Sequence, residues 1–352
     1  MQQRQIIEFD EIAAPVTPLH GETVPLSSDA DTDQELSQSK TLVVTIPALN
    51  EEDTIGDVIR SIPRTMDGID IVKILVVSDG STDRTEQVAA DAGADAVFRF
   101  ARRQGLAKVY KTALSEALKM GADVIVNIDA DGQYVADEMP MLVKPVLDGN
   151  ADVVMGSRLA GRIEEMPRSK RIGNHFGTWV VKQLSGVPIT DAHTGYRALS
   201  RHAALSMNVL SKYTYTQETI LQAGFKKLQV LEIPITFNKR TAGSSRLVSS
   251  FFSYGRKAAF TVGKMVGSQH ALGYMMVAGM ISMLIGLGVG ARVLIHFALT
   301  GHVSPLLPSA VLAGFGFVFG LQLIGMGLIA GLTADNRSLI EDVLYVIKDR
   351  KK

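Results

Sequence analysis

Between residue 41 and about residue 159, short apolar runs rich in β-branched residues alternate with stretches of helical periodicity. The runs predict strands over residues 41–46, 71–77, 96–100, 124–128 and 152–155. The periodic stretches predict helices over residues 54–61, 83–92, 106–120 and 137–147. This alternation is typical of a mostly parallel, doubly wound α/β sheet. Functional side chains are expected at the carboxyl ends of its strands, where such sheets bind their ligands.

Two long uncharged segments follow, over residues 271–291 and 303–334. The first contains 21 consecutive uncharged residues. As a helix it would span roughly 32 Å, about the thickness of a bilayer core. The second has Pro305 and Pro308 near its start, where a helix tolerates proline. Together they predict a hairpin of two membrane-spanning helices.

Amphipathic segments flank the two predicted spans. Over residues 247–268, apolar positions recur at helical spacing between polar residues such as Ser249, Ser253, Arg256 and Lys264. This pattern predicts an interfacial helix, although a helix packed on the soluble part of the chain would show the same pattern. Residues 335–352 predict another amphipathic helix, which could pack on the soluble part or on lipid headgroups.

Positive charges flank both spans on one side of the hairpin. Lysines and arginines precede the first span and follow the second, whereas the link between them offers only Arg292 and two histidines. By the positive-inside rule, both ends of the hairpin face the cytoplasm. We therefore expect a two-span membrane protein whose soluble part is cytoplasmic.

The chain of 352 residues has a formal net charge of zero, no cysteine and 46% hydrophobic residues. That apolar share agrees with a soluble core plus helices embedded in lipid. The balanced charge gives no basis for a nucleic acid partner. Residues 1–40 are acidic and contain Pro15, Pro18 and Pro25, which predicts a disordered tail without a signal-peptide core.

Two carboxylates directly follow the apolar run at residues 124–128. Asp129 and Asp131 are two residues apart, so a buried strand ending there would direct both towards the cleft at its carboxyl edge. Carboxylate oxygens are hard ligands that suit Mg²⁺ or Mn²⁺. The pair predicts a metal–diphosphate site, and the alternative is a solvated turn after a strand.

Polar residues also follow the other predicted strands. Asp79 comes directly after the second strand and could accept a hydrogen bond from a base or a ribose hydroxyl. Ser81 or Thr82 could cap the helix that follows. After the third strand, a basic turn containing Gly105 opens a helix, whose N-terminus suits an anion if the turn is more than surface charge.

A series of ordered motifs resembles those of a known family. They are Pro47-x-x-Asn50-Glu51, Asp79-Gly80-Ser81-x-Asp83, Gly105-Leu106, Asp129-x-Asp131-x-Gln133, Gly156-Ser157-Arg158 and Asp191-x-x-Thr194-Gly195-Tyr196-Arg197. The chain resembles the GT-A glycosyltransferases of family 2 of the dolichol-phosphate mannose synthase type, a group that includes polyprenyl-phosphate glucosyltransferases. The resemblance continues to the end of the chain through Arg240-x-x-Gly243-x-Ser245-Arg246.

For the donor side, the resemblance implies that Asp131 ligates a Mg²⁺ or Mn²⁺ ion on the donor diphosphate. Asp129 would contact the ribose or the metal, and Gln133 would support the sugar end. The nucleotide would be held at the other strand ends by Pro47, Asn50, Glu51, Asp79 and Gly105. Ser78 and Arg103-Gln104 depart from the family pattern at these contacts, which leaves the donor base open.

For the acceptor side, the resemblance implies a lipid phosphate bound by Arg158, Arg240, Ser245 and Arg246. Further candidates are Arg168, Arg171, Asp191 and Glu218, with a solvated helix surface or an exposed helix cap as the alternative. His193 and Trp179 are expected to pack rather than to react. Residues 233–334 contain no Asp or Glu, which suits contact with anionic headgroups or a lipid phosphate.

The expected organisation is a GT-A catalytic domain over residues 41–246, the interfacial helix over 247–268, the two spans within 269–334 and the terminal helix over 335–352. The expected activity is inverting transfer of a hexose, mannose or glucose, from a GDP- or UDP-sugar to a polyprenyl or dolichyl phosphate at the cytoplasmic leaflet. A polysaccharide or glycolipid synthase of the same fold is the enzymatic alternative, although its Gln-x-x-Arg-Trp motif is missing. A non-catalytic membrane scaffold is the other alternative.

Overall fold

The computed structural model describes residues 39–163, 168–209, 215–239 and 251–349. These residues form one sheet of seven strands in the order β3-β2-β1-β4-β6-β5-β7. The strands are β1 Thr41–Ala48, β2 Ile71–Ser78, β3 Ala96–Arg99, β4 Val124–Asn127, β5 Val153–Ile163, β6 Arg197–Ser200 and β7 Val230–Phe237. Only β6 runs antiparallel to its neighbours, β4 and β5. The predicted mostly parallel α/β sheet is therefore confirmed.

Seven helices of the described residues cover the two faces of this sheet. They are α1 Ile55–Ser61, α2 Thr85–Asp91, α3 Leu106–Lys119, α4 Met139–Leu147, α5 Arg168–Ser185, α6 Arg201–Ser206 and α7 Thr216–Phe225. One core lies under α3, α5, α6 and α7, and the other lies under α1, α2 and α4. Because successive side chains of a strand face opposite sides, Val43 enters the first core and Val44 enters the second. This double coverage explains why the central strands β1 and β4 are mostly apolar on both faces.

Two long helices follow the sheet, α8 Phe251–Thr300 and α9 Leu307–Asp349. Residues Leu272–Thr300 of α8 and the whole of α9 are long and apolar enough to be candidate membrane spans. The proposed boundaries at residues 268/269 and 334/335 do not interrupt either helix. A change from polar to apolar composition breaks no backbone hydrogen bond, and the only proline within these helices, Pro308, lies in the first turn of α9.

Small residues bring α8 and α9 into close contact. A Cβ atom added at Gly279 would lie 2.7 Å from the carbonyl oxygen of Gly320. A Cβ atom added at Gly286 would lie 2.6 Å from the backbone nitrogen of Phe317. Ser282 Oγ donates a hydrogen bond of 2.9 Å across the pair. Close backbone approach and interhelical hydrogen bonds are typical of helix pairs in lipid, so the contacts support the hairpin prediction.

The last turns of α9 pack on the soluble part of the chain. Asp349 forms a 2.8 Å ion pair with Arg201 of α6, and Glu341 forms a 2.7 Å ion pair with Lys226. Lys348 Nζ donates to two main-chain carbonyls at the end of α6. The backbone nitrogen of Arg201 donates to Asp123, just before β4. Of the two alternatives for the terminal amphipathic helix, the structure therefore shows packing on the soluble part, at the end of β4 opposite its carboxyl edge.

Candidate active site

The carboxyl ends of β1, β2 and β4 meet at one edge of the sheet, as the sequence predicts for parallel strands. Thr45 of β1 lies in register with Leu75 of β2 and with Asn127 of β4. Hydrogen bonds then connect the loops that follow the three strands. Thr54 Oγ1 donates to the carbonyl oxygen of Ala130 over 2.8 Å. These bonds gather the motif residues of three separate loops into one site.

Asp129 and Asp131 lie in the loop after β4, and both are half-buried. Ala130 between them is only 3% exposed, which places the intervening residue in the core. Gly132 has a φ of 71°, so the chain turns through the left-handed region directly after Asp131. The backbone nitrogen of Gln133 donates to Asp131 Oδ1 over 3.2 Å. The predicted carboxylate pair is thus held by a tight turn at the sheet edge.

The carboxylate pair fits a divalent cation that takes its other ligands from a substrate. The described residues contain no group of three or more His, Cys, Asp or Glu side chains that could enclose a metal. Mg²⁺ in nucleotide enzymes is usually bound by one or two carboxylates together with phosphate oxygens and water. Asp129 and Asp131 match that donor set, and a pre-formed all-protein cage is not required.

Gly195 lies directly against the Asp129 carboxylate. A Cβ atom added at this glycine would stand 2.8 Å from Asp129 Oδ1, so only glycine fits without displacing the acid. Asn127 Nδ2 donates to the Gly195 carbonyl over 2.9 Å, and the Gly195 nitrogen donates to Tyr134 Oη over 3.1 Å. Burial raises the pKa of Tyr134 to about 12, so its hydroxyl stays neutral. The sequence analysis did not predict these contacts of Asn127 and Tyr134 with Gly195. The only indication in the sequence is the polar amide of Asn127 within an apolar run.

Asp79 follows β2 as predicted, but its carboxylate already has backbone partners. Asp79 Oδ1 accepts from the nitrogen of Gln104 over 2.6 Å, and Oδ2 accepts from the nitrogen of Gly105 over 3.0 Å. Asp79 is only 5% exposed. Gly105 has a φ of 95°, which a glycine adopts readily. Asp79 therefore fixes the turn that opens α3 and presents exposed Arg102 and Arg103.

Asn50 and Glu51 lie in the loop after β1, next to the loop after β2. Asn50 has a φ of 53°, and its Oδ1 accepts from the nitrogen of Thr82 over 2.8 Å. The nitrogen of Glu51 donates to Thr85 Oγ1 over 2.9 Å. Pro47, the remaining nucleotide candidate of this segment, lies within β1 and pairs with β2. The structure thus brings together the residues predicted for the nucleotide.

The capping prediction for α2 is wrong. The helix begins at Thr85, and its first nitrogen donates to the loop acid Asp83 instead of to Ser81 or Thr82. Asp83 Oδ1 accepts from the nitrogen of Thr85 over 3.0 Å, and Oδ2 accepts from the nitrogen of Glu52 over 3.3 Å. Burial alone would raise the pKa of Asp83, but these hydrogen bonds outweigh it and lower the pKa. Ser81 Oγ instead accepts from the nitrogen of Asn50 over 3.1 Å.

Arg158 and Asp191, both predicted near the acceptor, form a buried bidentate pair. Arg158 Nε donates to Asp191 Oδ2 over 2.7 Å, and Arg158 Nη2 donates to Oδ1 over 2.9 Å. The two side chains are 12% and 0% exposed. Burial alone would raise the pKa of Asp191, but the Arg158 guanidinium holds it below its usual range. The pair joins β5 to the loop before β6, and Arg158 also lies over the ring of Phe237.

The other residues between β5 and α7 are mostly buried supports. Glu218 is 4% exposed within α7, so the exposed-cap alternative is wrong, and it accepts from Gln222 Nε2. His193 Nε2 lies 2.8 Å from Gln217 Nε2, and burial lowers the pKa of His193 to about 4. His193 packs as predicted. Trp179 does not, because 57% of it is exposed.

Arg197 is a buried cation that the motif contained but that received no role from sequence. It is 1% exposed and donates to the carbonyl oxygens of Ala192, Thr194 and Thr216. Its guanidinium lies 5.9 Å from the ring centre of Tyr215. These bonds hold the segment that carries Gly195 against β4. Arg197 thereby supports the site from inside the fold.

Several predicted acceptor residues are not tested by the structure. Arg240, Ser245 and Arg246 lie outside the described residues. Arg168 begins α5, where its backbone alone is described, and Arg171 is exposed one turn later. Gln133, in contrast, lies within the described residues, and its Nε2 donates to the carbonyl oxygen of Asn238 after β7 over 3.2 Å. The carboxylate loop is therefore connected to the chain segment that leads to α8.

A family model described as glycosyl transferase family 2 matches residues 43–205 of the chain. This stretch runs from β1 to α6 and contains the carboxylate pair together with Gly195. The match therefore covers the strand ends that build the candidate site.

Individual relatives are similar over more than half of the chain. A low-salt glycan biosynthesis hexosyltransferase of Haloferax volcanii is 34% identical over 224 residues, which are 62% of this chain and 52% of the relative. A polyprenol monophosphomannose synthase of Mycolicibacterium smegmatis is 32% identical over 238 residues, which are 63% of this chain and 85% of the relative. The chain thus spans about half the length of the first relative and most of the second.

A solved structure with a similar fold is glucosyl-3-phosphoglycerate synthase from Mycobacterium tuberculosis, in complex with Mn²⁺, UDP and glucosyl-3-phosphoglycerate. The TM-score is 0.51 at 21% identity, and the match covers 65% of this chain and 79% of that chain. At this identity the likeness concerns the fold alone. It agrees with the predicted GT-A architecture.

Proposed function

Because the chain belongs to glycosyl transferase family 2, we propose that this glycosyltransferase moves a hexose from a nucleotide sugar to a polyprenyl phosphate in a membrane. The observation that carries the proposal is the pair Asp129 and Asp131, held at the carboxyl edge of the sheet in a chain with two candidate membrane spans. An enzyme that joins a soluble donor to a lipid acceptor needs both a nucleotide-binding site, here at the carboxyl edge of the sheet, and an anchor in the membrane.

On the donor side, we assign Asp131 and Asp129 to a Mg²⁺ or Mn²⁺ ion and to the diphosphate that it binds. When bound, the ion would supply positive charge that stabilises the leaving diphosphate. The loops that carry Asn50, Glu51 and Asp79 would hold the nucleoside. The donor is a GDP- or UDP-sugar, with mannose or glucose as the hexose.

On the acceptor side, a phosphate monoester needs less help from the protein than an alcohol does. Its second pKa is about 6, so it is largely ionised near neutral pH and requires no general base. A phosphate oxygen would form the new bond to the anomeric carbon as the bond to the diphosphate breaks on the opposite face. The nucleoside diphosphate leaves with the electron pair, and the anomeric configuration inverts.

Positioning the acceptor is then the main task of the protein. The name of the mycobacterial relative, polyprenol monophosphomannose synthase, supports a lipid phosphate as the acceptor class. In this chain, the basic residues just before α8, Arg240 and Arg246 with Ser245, are our candidates for binding it. Residues 233–334 contain no acid that would repel a phosphate or an anionic headgroup.

The lysines and arginines that flank the two candidate spans support a cytoplasmic location of the site. A cysteine substituted at Ser304, exposed in the link between α8 and α9, should react with an impermeant reagent only from outside. A cysteine substituted at Ser61, exposed at the end of α1, should react only from the cytoplasmic side. Because the chain has no cysteine, each label reports one position. Labelling of both positions from one side contradicts the proposed orientation.

The activity is tested with the full chain in membranes. A panel of radiolabelled sugar nucleotides is supplied with dolichyl or undecaprenyl phosphate, and in parallel with the matching free alcohols. We expect a metal-dependent glycolipid from at least one GDP- or UDP-hexose with the phosphates only. Asp131→Asn serves as the inactive control. Equal glycosylation of the free alcohols, or no transfer to either lipid by any donor, contradicts the proposal.

A further inference from the structure

Helix α5 exposes two aromatic side chains to the surroundings of the protein. Phe176 is 68% exposed and Trp179 is 57% exposed, and their rings stack with centres 6.2 Å apart. The opposite side of the same helix is buried, with Thr178 at 4% and Val181 at 1% exposure. The helix is therefore fixed to the core on one side, and on the other it presents an aromatic pair that no described residue covers.

The charged residues of α5 itself are all of one sign. Arg171, His175 and Lys182 are exposed on the same helix, and α5 contains no Asp or Glu in any of its 18 residues. Aromatic rings prefer the boundary between lipid and water, and clustered cations are attracted to anionic headgroups. This composition complements the surface of an anionic bilayer, whereas ordinary solvated helices carry both signs of charge.

Helix α5 lies close to the membrane hairpin in the fold. Helix α7 packs on α5 and also contacts α8, the helix that contains the first candidate span. At the far end of α7, Lys226 pairs with Glu341 of α9. Because α5 and the membrane hairpin belong to one chain, a bilayer that holds α8 and α9 is present at α5 at a raised effective concentration.

We propose that the α5 face, formed by Arg171, His175, Phe176, Trp179 and Lys182, is a membrane-docking surface that inserts its aromatic pair into the headgroup region of an anionic bilayer. Docking there would hold the soluble part against the lipid on a second side, besides the connection through α8. The first turn of α5 carries the acceptor candidate Arg168, so the docked helix would keep that end near the headgroups. The inference concerns lipid contact and does not depend on the identity of the donor.

The single tryptophan of the chain allows a direct test, because Trp179 alone supplies tryptophan emission. The full chain is reconstituted in vesicles of phosphatidylcholine and phosphatidylglycerol, with and without phosphatidylcholine brominated near the headgroup end of its acyl chains. We expect brominated lipid to quench Trp179, and its emission to shift to the blue relative to the protein in detergent. Aqueous acrylamide should quench it less in vesicles than in detergent.

Charge variants separate docking from mere proximity. One lysine near an anionic surface changes a docking equilibrium about fivefold, so Lys182→Glu should reduce quenching by brominated lipid markedly in phosphatidylglycerol vesicles. Lys144→Glu is the matched control. Lys144 is an exposed lysine of α4, on the other face of the sheet, and its replacement should leave the quenching unchanged.

Four results contradict the proposal. The first is Trp179 emission that brominated lipid leaves unchanged while acrylamide quenches it as in detergent. The second is protection from acrylamide that disappears as protein is diluted into lipid, which indicates a second copy of the chain on this face. The third is an equal response of the Lys182 and Lys144 variants. Failure of the chain to float with the vesicles also contradicts it, together with the membrane hairpin.

Discussion

The two halves of the sheet use charged residues in opposite ways. At the ends of β1 and β4, the acids Glu51, Asp129 and Asp131 are half-buried in loops at the sheet edge. Around β5, β6 and β7, the charged motif residues Arg158, Asp191 and Arg197 are buried and bonded within the fold. Both sets belong to ordered motifs of the same family. The difference teaches that a charged motif residue can either face the site at the sheet edge or hold other site residues in place from within the fold.

Gly195 is the point where the two halves meet. It belongs to the half around β5, β6 and β7, which we call the supporting half. Its α-carbon nevertheless lies against the carboxylate of Asp129 in the half around β1, β2 and β4, which we call the presenting half. Asn127 and Arg197 hold its segment from either side. A change in the supporting half should therefore reach the chemistry through this contact, whereas most other changes there should affect stability alone.

The largest loss of turnover is expected from a change in the carboxylate pair of the presenting half. Asp131→Asn keeps the size of the side chain but removes a charged ligand, so turnover should fall by about a thousandfold, equivalent to roughly 4 kcal/mol. Asp123→Asn is the matched control, since Asp123 precedes the same strand at its other end and accepts from the nitrogen of Thr41. Radiolabel transfer to the lipid phosphate measures both. Near-normal turnover of Asp131→Asn contradicts the assignment of the reaction chemistry to the carboxylate pair of the presenting half.

The next effect is on stability rather than on turnover. Asp191→Asn leaves the buried Arg158 guanidinium without its carboxylate, which should destabilise the protein by about 3 kcal/mol. The double variant Arg158→Met, Asp191→Leu removes both charges and should recover most of that loss. Thermal unfolding of the purified full chain measures the cycle. A fully stable double variant with a greatly raised Michaelis constant for lipid phosphate would instead assign Arg158 to the acceptor.

The contact between the halves can be tested at one atom. Gly195→Ala places a methyl group where the Asp129 carboxylate stands, and a displacement of about 1 Å at a catalytic group can cost about a hundredfold in rate. The thermal unfolding midpoint should change little, because the acid can move towards solvent. Full activity of the alanine variant would show that Asp129 tolerates displacement and that Gly195 has no positioning role.

Much of the half around β1, β2 and β4 could be predicted from sequence, because the strands and their ends follow from local apolar runs. The supporting half could not. Nothing in the neighbourhood of Arg158 indicates that Asp191, 33 residues later, will fold beside it. The exposure of Trp179 and the late start of α2 at Thr85 depend on tertiary packing in the same way. The continuity of α8 was missed because composition was taken to mark a structural boundary.

The smallest expected effect concerns pH. Burial lowers the pKa of His193 from 6.5 to about 4, so the unfolded chain binds a proton in this range that the folded chain does not. Stability is therefore present above about pH 6.5 and is lost as the pH falls towards 4, by roughly 2 kcal/mol between pH 7 and pH 4.5. His193→Gln should flatten this part of the profile of unfolding temperature against pH. An unchanged profile would show that other groups cause it.

Binding of Mn²⁺ tests most directly whether the presenting half holds the metal and the donor together. The signal of free Mn²⁺ in electron paramagnetic resonance is followed for the purified chain with and without GDP or UDP. We predict that one of the two nucleotides promotes Mn²⁺ binding to the wild-type protein and to Asp123→Asn, and that Asp131→Asn loses this binding. Nucleotide-dependent Mn²⁺ binding that Asp131→Asn retains at wild-type strength would contradict the assignment of the metal to Asp131.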